Sequence, residues 1–280
     1  MNHFLIVANG DRDTDLSVTR RISDNLKKAG KEVLVHVTKA DEHGNYCPIT
    51  GIPETTECII VLGGDGTFIG AARDVADKEI PMLGVNLGTL GFLTDVEVSS
   101  IEPAMEALED GSYTIEERMM LCGKAYAADG TLKGETRALN DIVLHTAGSL
   151  RVSDYNLYVN DALLGSYRAD GMIVCTPTGS TAYSMSAGGP IIEPTSRMMA
   201  ITPICPHTLN SRSILLAAER KIRINVAGGR GESEVSFDGH NPIMLTEGDY
   251  VEVRPSTHVT RIVRIHRGSF LSVLSTKFQS

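Results

Sequence analysis

Ile59-Ile60-Val61-Leu62-Gly63-Gly64-Asp65-Gly66-Thr67-Phe68 is the stretch from which the fold is read. The run Cys58–Leu62 is continuously apolar, the signature of a strand buried on both faces of a sheet. Glycines follow at once, and Thr67–Ala76 then reads as a helix. Such a strand, glycine-rich loop and helix make the first half of a βαβ unit.

The neighbouring segments repeat the pattern. Phe4–Ala8 is a short apolar strand closed by the turn signal Asn9-Gly10-Asp11. From Leu16 to Ala29, apolar residues at Leu16, Ile22 and Leu26 stand among charges, and Gly30 marks a helix stop. Glu32–Val37 and Pro81–Val85 are further strands, and Lys39–Thr56, with two glycines and two prolines, reads as a loop. Strands separated by helices predict a mostly parallel α/β sheet.

Near residue 112 the pattern changes. Ile101–Leu108 is the last helical segment before a series of short β-branched or alternating runs. These include Leu121–Ala127, Ile142–His145, Tyr155–Val159, Gly171–Cys175, Ile222–Val226, Val235–Phe237 and Tyr250–Arg254. Many short strands punctuated by Gly and Asn predict an all-β sandwich. The predicted architecture is α/β plus all-β, with a domain boundary near residue 115.

Composition narrows the function. The chain has 280 residues, 42% hydrophobic and 22% charged, enough for about two cored domains. Its 26 Lys and Arg against 35 Asp and Glu leave a formal charge of −9, without a basic run. This argues against general nucleic-acid binding, which needs a basic field. Five widely spaced cysteines without a C-x-x-C pair fit a reducing cytoplasm better than a disulfide framework or zinc ribbon. The N-terminus reads as a first strand, and no apolar run is long enough to predict a membrane span.

Chemistry concentrates in a few loops. Gly63, Gly64 and Gly66 let a backbone approach a bulky ligand, and the following helix N-terminus favours phosphate. Asp65 is unexpected beside phosphate. It suits a cation or a hydroxyl proton, and so phosphoryl transfer. The plain structural alternative is a tight turn with Asp65 as helix N-cap. The loop lacks a P-loop's Gly-Lys-Ser/Thr ending and is one residue too long for the dinucleotide fingerprint. Asn86-Leu87-Gly88-Thr89-Leu90-Gly91-Phe92-Leu93 follows the next strand, where ligand loops gather in open α/β sheets.

In the second half, Asp170 through Pro190 contains Thr176-Pro177-Thr178-Gly179-Ser180-Thr181-Ala182-Tyr183-Ser184-Met185-Ser186. Its hydroxyls, glycines and tyrosine suit a base and ribose. Asn140-Asp141 could take two sugar hydroxyls or form a simple turn. Pro206–Arg212 and Ser236-Phe237-Asp238-Gly239-His240 complete the polar clusters. No spacing of a protein metal site is present.

In this order the motifs resemble those of the NAD kinases, particularly the compact bacterial type. The matching residues are Gly63–Thr67, Asn86–Asp95, Asn140-Asp141, Asp170–Pro190 and Pro206–Leu209, with Leu274–Lys277 near the end. The similarity runs from about residue 4 to 277. The Thr-Pro-Thr-Gly-Ser-Thr-Ala-Tyr-Ser run is its most specific part, since Gly-Gly-Asp-Gly also occurs in diacylglycerol, sphingosine and phosphofructokinase relatives.

The resemblance implies transfer of the ATP γ-phosphoryl group to the adenosine-ribose 2′-hydroxyl of NAD. It implies a Rossmann-like domain over 1–115, rejoined by the tail 265–280, a β-sandwich over 116–264, and a site between them. Asp65 is the implied general base. Dinucleotide or ATP contacts are implied for Gly63, Gly64, Gly66, Thr67, Phe92, Asn140, Asp141, Asp170, Thr178, Thr181, Ala182, Tyr183, Ser184, Met185 and Ser186. Arg151, Arg168 and His240 match further polar contacts. The family's usual pair is Asn-Glu, so Asp141 reaches one methylene less. A divalent ion, Mg²⁺, is implied on the ATP phosphates, with no protein metal site. A homodimer or homotetramer follows as family habit, without a nucleic-acid or membrane partner. The rival readings are a lipid kinase of the diacylglycerol or sphingosine type and a non-catalytic dinucleotide-binding regulator.

Overall fold

The computed structural model describes all residues except 41–45, 90, 95, 149–151, 208–210, 230–231, 266–269 and 280, together with the side chain of Asn241. The chain forms two compact units, Met1–Arg118 with Val259–Ser280, and Met119–His258.

The first unit opens with β1 (His3–Asn9), α1 (Ser17–Lys28), β2 (Glu32–Thr38), β3 (Cys58–Gly63), α2 (Asp65–Asp74), β4 (Met82–Asn86), β5 (Val96–Glu97) and α3 (Ile101–Asp110). The sheet runs β4-β3-β1-β2, all parallel, and β5 continues it parallel to β4. β3 has a partner on each side and every residue buried, which is why its sequence shows no alternation. β2 is an edge and exposes Leu34, Val35 and Val37. α1 buries Thr19, Ile22, Ser23 and Leu26, a stripe of helical period. The Asp13 carboxylate accepts the Val18 and Thr19 N–H groups and anchors that helix start.

The second unit is built from strands. They are β6 (Thr114–Tyr126), β7 (Leu132–Ala138), β8 (Asp141–Thr146), β9 (Ser153–Val159), β10 (Ala162–Ala169) and β11 (Gly171–Cys175). After the short helix α4 (Tyr183–Ser186) come β12 (Met198–Ile204), β13 (Ile214–Ala217), β14 (Ile222–Gly229), β15 (Ser233–Phe237), β16 (His240–Leu245) and β17 (Tyr250–Arg264). Helix α5 (Phe270–Gln279) lies in the first unit. One layer carries β10-β9-β14-β17 with β6 and β7, and the other is β13-β12-β11-β8-β15-β16, antiparallel throughout.

Strand alternation fixes the two faces of β8. Ile142 and Leu144 join the core shared with Tyr155, Leu157, Met172 and Phe237. Val143 points to the opposite face, packing with Ile173, Cys175 and Ile204. That second face carries the pocket described below.

The structure extends several expected elements. α2 begins at Asp65 rather than Thr67, because Gly64 is extended and serves as the N-cap residue. β6 and β17 have 13 and 15 residues, far beyond the Leu121–Ala127 and Tyr250–Arg254 runs. Their polar outer ends are held by pairing, a stabilisation that apolar patterning does not report.

Candidate active site

In the first unit, the glycine-rich loop leaves β3 at Gly63 and enters α2 at Asp65. The first N–H groups of a helix lack intrahelical acceptors, so this end is suited to phosphate. Asp65 is not the N-cap of its helix. Its side chain crosses to the loop after β4. Oδ2 accepts the Phe92 N–H at 2.8 Å. Oδ1 accepts the Leu93 N–H at 3.1 Å, the Thr94 N–H at 3.2 Å and the Thr94 hydroxyl at 3.1 Å.

That clamp explains a glycine. A Cβ on Gly91 would lie 2.0 Å from Asp65 Oδ1, so only glycine admits the carboxylate. The same loop is tied to the sheet where the Leu87 N–H donates to the Gly63 carbonyl at 3.0 Å. Arg264 donates to the Phe92 carbonyl at 3.3 Å and pairs with Glu116 at 3.1 Å. Burial alone would raise the Glu116 carboxyl, but Arg118 and Arg264 outweigh it and hold it below its ordinary range. The Phe92 ring lies 5.9 Å from Phe270, with Lys277 5.1 Å from its centroid.

Thr67 is buried, and its hydroxyl accepts Asn9 Nδ2 at 2.9 Å. The same amide donates to Tyr46 at 3.1 Å. Thr67 therefore braces the loop against β1. Asn9 and Arg264 were not assigned from sequence, and Thr94 entered only as a member of the Asn86–Asp95 motif, without a role of its own. Asn9 carried only a turn signal, and Thr94 and Arg264 act through partners distant in the chain.

The second unit holds a cavity of about 1010 Å³ on the outer face of β8, β11 and β15. Asn140, Asp141, Asp170, Ala182 and Tyr183 line it, joined by His145, Cys205, His207, Glu234, Ser236 and Asp238. Period-two alternation puts Asp141, Val143 and His145 of β8 beside Glu234 and Ser236 of β15. His145 Nε2 lies 3.1 Å from Glu234 Oε1. Tyr183 stays half exposed, leaving its ring available for stacking.

Asp141 is 5% exposed. Burial, and then the charge of Asp238, push its carboxyl up to about 7. Cys175, opposite it on β11, is raised to about 11, mainly by burial.

The hydroxyl-rich segment is largely structural. The Thr176 hydroxyl donates to the Leu139 carbonyl at 2.6 Å, and the Thr176 N–H to the Asn140 carbonyl at 2.8 Å. Gly179 passes so close that a Cβ would lie 2.1 Å from the Asn140 carbonyl oxygen. Ser180 bonds Pro177 and Ile192, and Ser184 lies buried 3.3 Å from the Thr202 hydroxyl. Thr176 and Gly179 hold the start of the segment against Leu139 and Asn140, while Ser180 and Ser184 fasten the rest to Pro177, Ile192 and Thr202.

The remaining residues named from sequence fall as follows. Thr178 is buried and Thr181 half-buried, its hydroxyl donating to the Thr178 carbonyl. Met185 is exposed, Ser186 lies at the end of α4, and neither lines the cavity. Arg168 is exposed on β10, and His240 opens β16; both are absent from the cavity lining. Arg151 lies outside the described residues, as do Leu90, Asp95 and Thr208–Asn210.

A parallel-sheet unit with a glycine-rich strand-to-helix loop, and a sandwich with an acid- and hydroxyl-lined cavity, fit the class of nucleotide-dependent phosphotransferases acting on alcohols. Family models agree over both halves. The ATP-NAD kinase N-terminal domain matches residues 4–113, and the ATP-NAD kinase C-terminal domain matches 139–265. The chain belongs to the NAD kinase family, and its enzyme class is that of the NAD kinases.

Relatives and folds concur. The chain is 42% identical to an NAD kinase of Lachnospira eligens, over 99% of this chain and 100% of the relative. It is 39% identical to an NAD kinase of Lachnoclostridium phytofermentans, over 99% of both. A crystal structure of yeast NADH kinase complexed with NADH superimposes with a TM-score of 0.82 at 26% identity, covering 98% of this chain and 86% of that one. An NAD kinase from Archaeoglobus fulgidus in complex with ATP gives 0.76 at 25% identity, covering 99% and 98%.

Proposed function

We propose that this protein transfers the γ-phosphoryl group of ATP to the 2′-hydroxyl of the adenosine ribose of NAD, giving NADP. The family match over both halves carries this reading. The NADH and ATP complexes of the two similar structures support it for those relatives and extend it here.

The assigned roles follow from the chemistry of the two sites. The Gly63–Thr67 backbone and the N-terminus of α2 hold phosphate. Asp65 orients the 2′-hydroxyl and accepts its proton as the oxygen attacks phosphorus. The Phe92–Thr94 hydrogen bonds fix the carboxylate in direction, a preorganised acceptor. The fewer hydrogen bonds fall on Oδ2, which makes it the better oxygen for the incoming hydroxyl. Asn140 and Asp141 take ribose hydroxyls, and Tyr183 stacks on a base.

Magnesium enters as MgATP, neutralising phosphate charge as part of the substrate. Among the described residues, no group of three or more His, Cys, Asp or Glu side chains is placed to hold a metal ion. The protein is assigned to the cytoplasm as a homodimer or homotetramer. No helix among the described residues is long and apolar enough to cross a membrane.

The deciding experiment supplies NAD, ATP and Mg²⁺ to purified protein and measures NADP by an NADP-specific coupled assay. NADP formation supports the reading. Its absence from folded protein that still binds NAD overturns it in favour of a dinucleotide-binding regulator.

A further inference from the structure

The turn between β15 and β16 contains only Asp238 and Gly239, because Phe237 pairs with His240. Both turn residues have positive φ, 51° and 73°, the geometry of a two-residue type I′ hairpin. Asp-Gly is a favoured sequence for such a turn, and that alone would account for both residues. The side chain does something further.

The Asp238 carboxylate accepts three successive backbone N–H groups, from Leu139 at 2.8 Å, Asn140 at 2.8 Å and Asp141 at 3.1 Å. The Asp238 N–H donates back to the Asp141 carbonyl at 3.0 Å. Three convergent N–H groups form an anion-binding concavity, and here the anion is a side chain of the protein. Asp238 also lines the same cavity as Asn140 and Asp141. A turn needs none of these bonds; they bear on the orientation of the Asn140-Asp141 pair.

We propose that Asp238 is a positioning residue of the dinucleotide site: by holding the N–H groups of 139–141 it fixes the backbone, and so the side-chain direction, of Asn140 and Asp141. The proposal rests on the assignment of Asp141 to a ribose hydroxyl. The two carboxyl groups differ in hydrogen bonding. Asp238 is stabilised as an anion by three N–H donors, whereas Asp141 is buried beside that anion. Protonation therefore falls first on Asp141. Cys175 faces Asp141 from β11, and burial holds its thiol neutral. The other titratable groups of the cavity are Asp170, Tyr183, Cys205, His207 and the His145–Glu234 pair. Burial and the charge of Asp238 raise Asp141.

The test measures NAD affinity by calorimetry from about pH 5 to about pH 9. It uses wild type, Asp238→Asn, Asp238→Ser and Asp141→Asn, each checked for a cooperative melt. Asparagine tolerates positive φ, and both replacements at 238 keep an acceptor without the charge. The expected result for Asp238→Asn is an NAD dissociation constant about tenfold higher, because charge-assisted bonds to the N–H triad are weakened. KM for NAD should rise while kcat changes less than about twofold. The acid limb of the affinity profile should move to lower pH, because one of the two causes raising Asp141 is gone, and Asp141→Asn should lack that limb.

A melting temperature lowered in either Asp238 variant, with affinity and limb unchanged, would reduce Asp238 to a structural staple and overturn the proposal. If Asp141→Asn keeps wild-type affinity and the same limb, the assignment of Asp141 itself fails. The proposal falls with it, while NADP formation continues to support the reaction.

Discussion

Gly91 and Asp65 lie 26 residues apart in the chain, yet a single methyl group on the first would lie 2.0 Å from a carboxylate oxygen of the second. The glycine leaves room for an acid to take three backbone N–H groups and a hydroxyl from Phe92–Thr94. The site thus depends on what is absent from position 91 as much as on what is present at 65.

Gly91→Ala should therefore damage catalysis while NAD remains bound elsewhere. The added methyl must displace Asp65 or the 91–94 backbone. Misplacement of a reacting group by about 1 Å costs on the order of 10²-fold in rate. We expect kcat to fall about 10- to 100-fold with NAD affinity nearly unchanged, by steady-state assay and calorimetry. Normal kcat would show that the loop relaxes freely.

Asp65→Asn should lose about 10²-fold or more in turnover. Asparagine keeps the shape and accepts some loop hydrogen bonds, but it cannot take the proton. Single-turnover NADP formation is the measurement, and near-normal turnover would remove Asp65 from the role.

Gly179→Ala tests the second unit. Its Cβ would lie 2.1 Å from the Asn140 carbonyl oxygen, a backbone atom that cannot step aside alone. Forced overpacking costs about 1–3 kcal/mol. That corresponds to a melting temperature lower by about 2–10 °C for a protein of this size. Weaker NAD binding should accompany the loss, because Asn140 is the residue pushed.

Stability should depend on pH through Asp141. Its folded value of about 7 lies above its ordinary value of 3.8, so the folded state holds the proton more tightly. Its contribution is complete below the ordinary value and is lost as pH rises through about 7. Asp141→Asn should thus raise the stability of the ligand-free protein at pH 8 by on the order of 1–3 kcal/mol. The same substitution should weaken NAD binding. Thermal melts of both proteins at pH 5 and pH 8 check this, the expected outcome being a gain clearly larger at pH 8 than at pH 5.

Much of the fold was legible in local pattern. The uninterrupted apolar run Cys58–Leu62 announced a strand buried on both faces, and every residue of β3 is buried. Alternation in Val235–Phe237 announced one face inward, and Val235 and Phe237 do enter the core. The long ends of β6 and β17 were not legible, because their residues are held by pairing partners more than 100 positions away or by ion pairs such as Arg264–Glu116.

The candidate site divides in the same way. Residue type and spacing marked Gly63–Thr67, Asn140-Asp141 and the 170–190 segment, because phosphate-binding loops and hydroxyl-rich linings need particular residues close together in sequence. Only the tertiary structure distinguished the jobs. It turned Thr67, Thr176 and Ser184 inward as braces, left Tyr183 facing the cavity, and brought Asp238 onto the N–H groups of 139–141. Sequence by itself determined which chemistry the chain carries, since backbone freedom, hydroxyls and charge are properties of residues. Tertiary structure decided which of those groups remain for a ligand, since hydrogen-bond partners and burial are set by segments that meet only after folding.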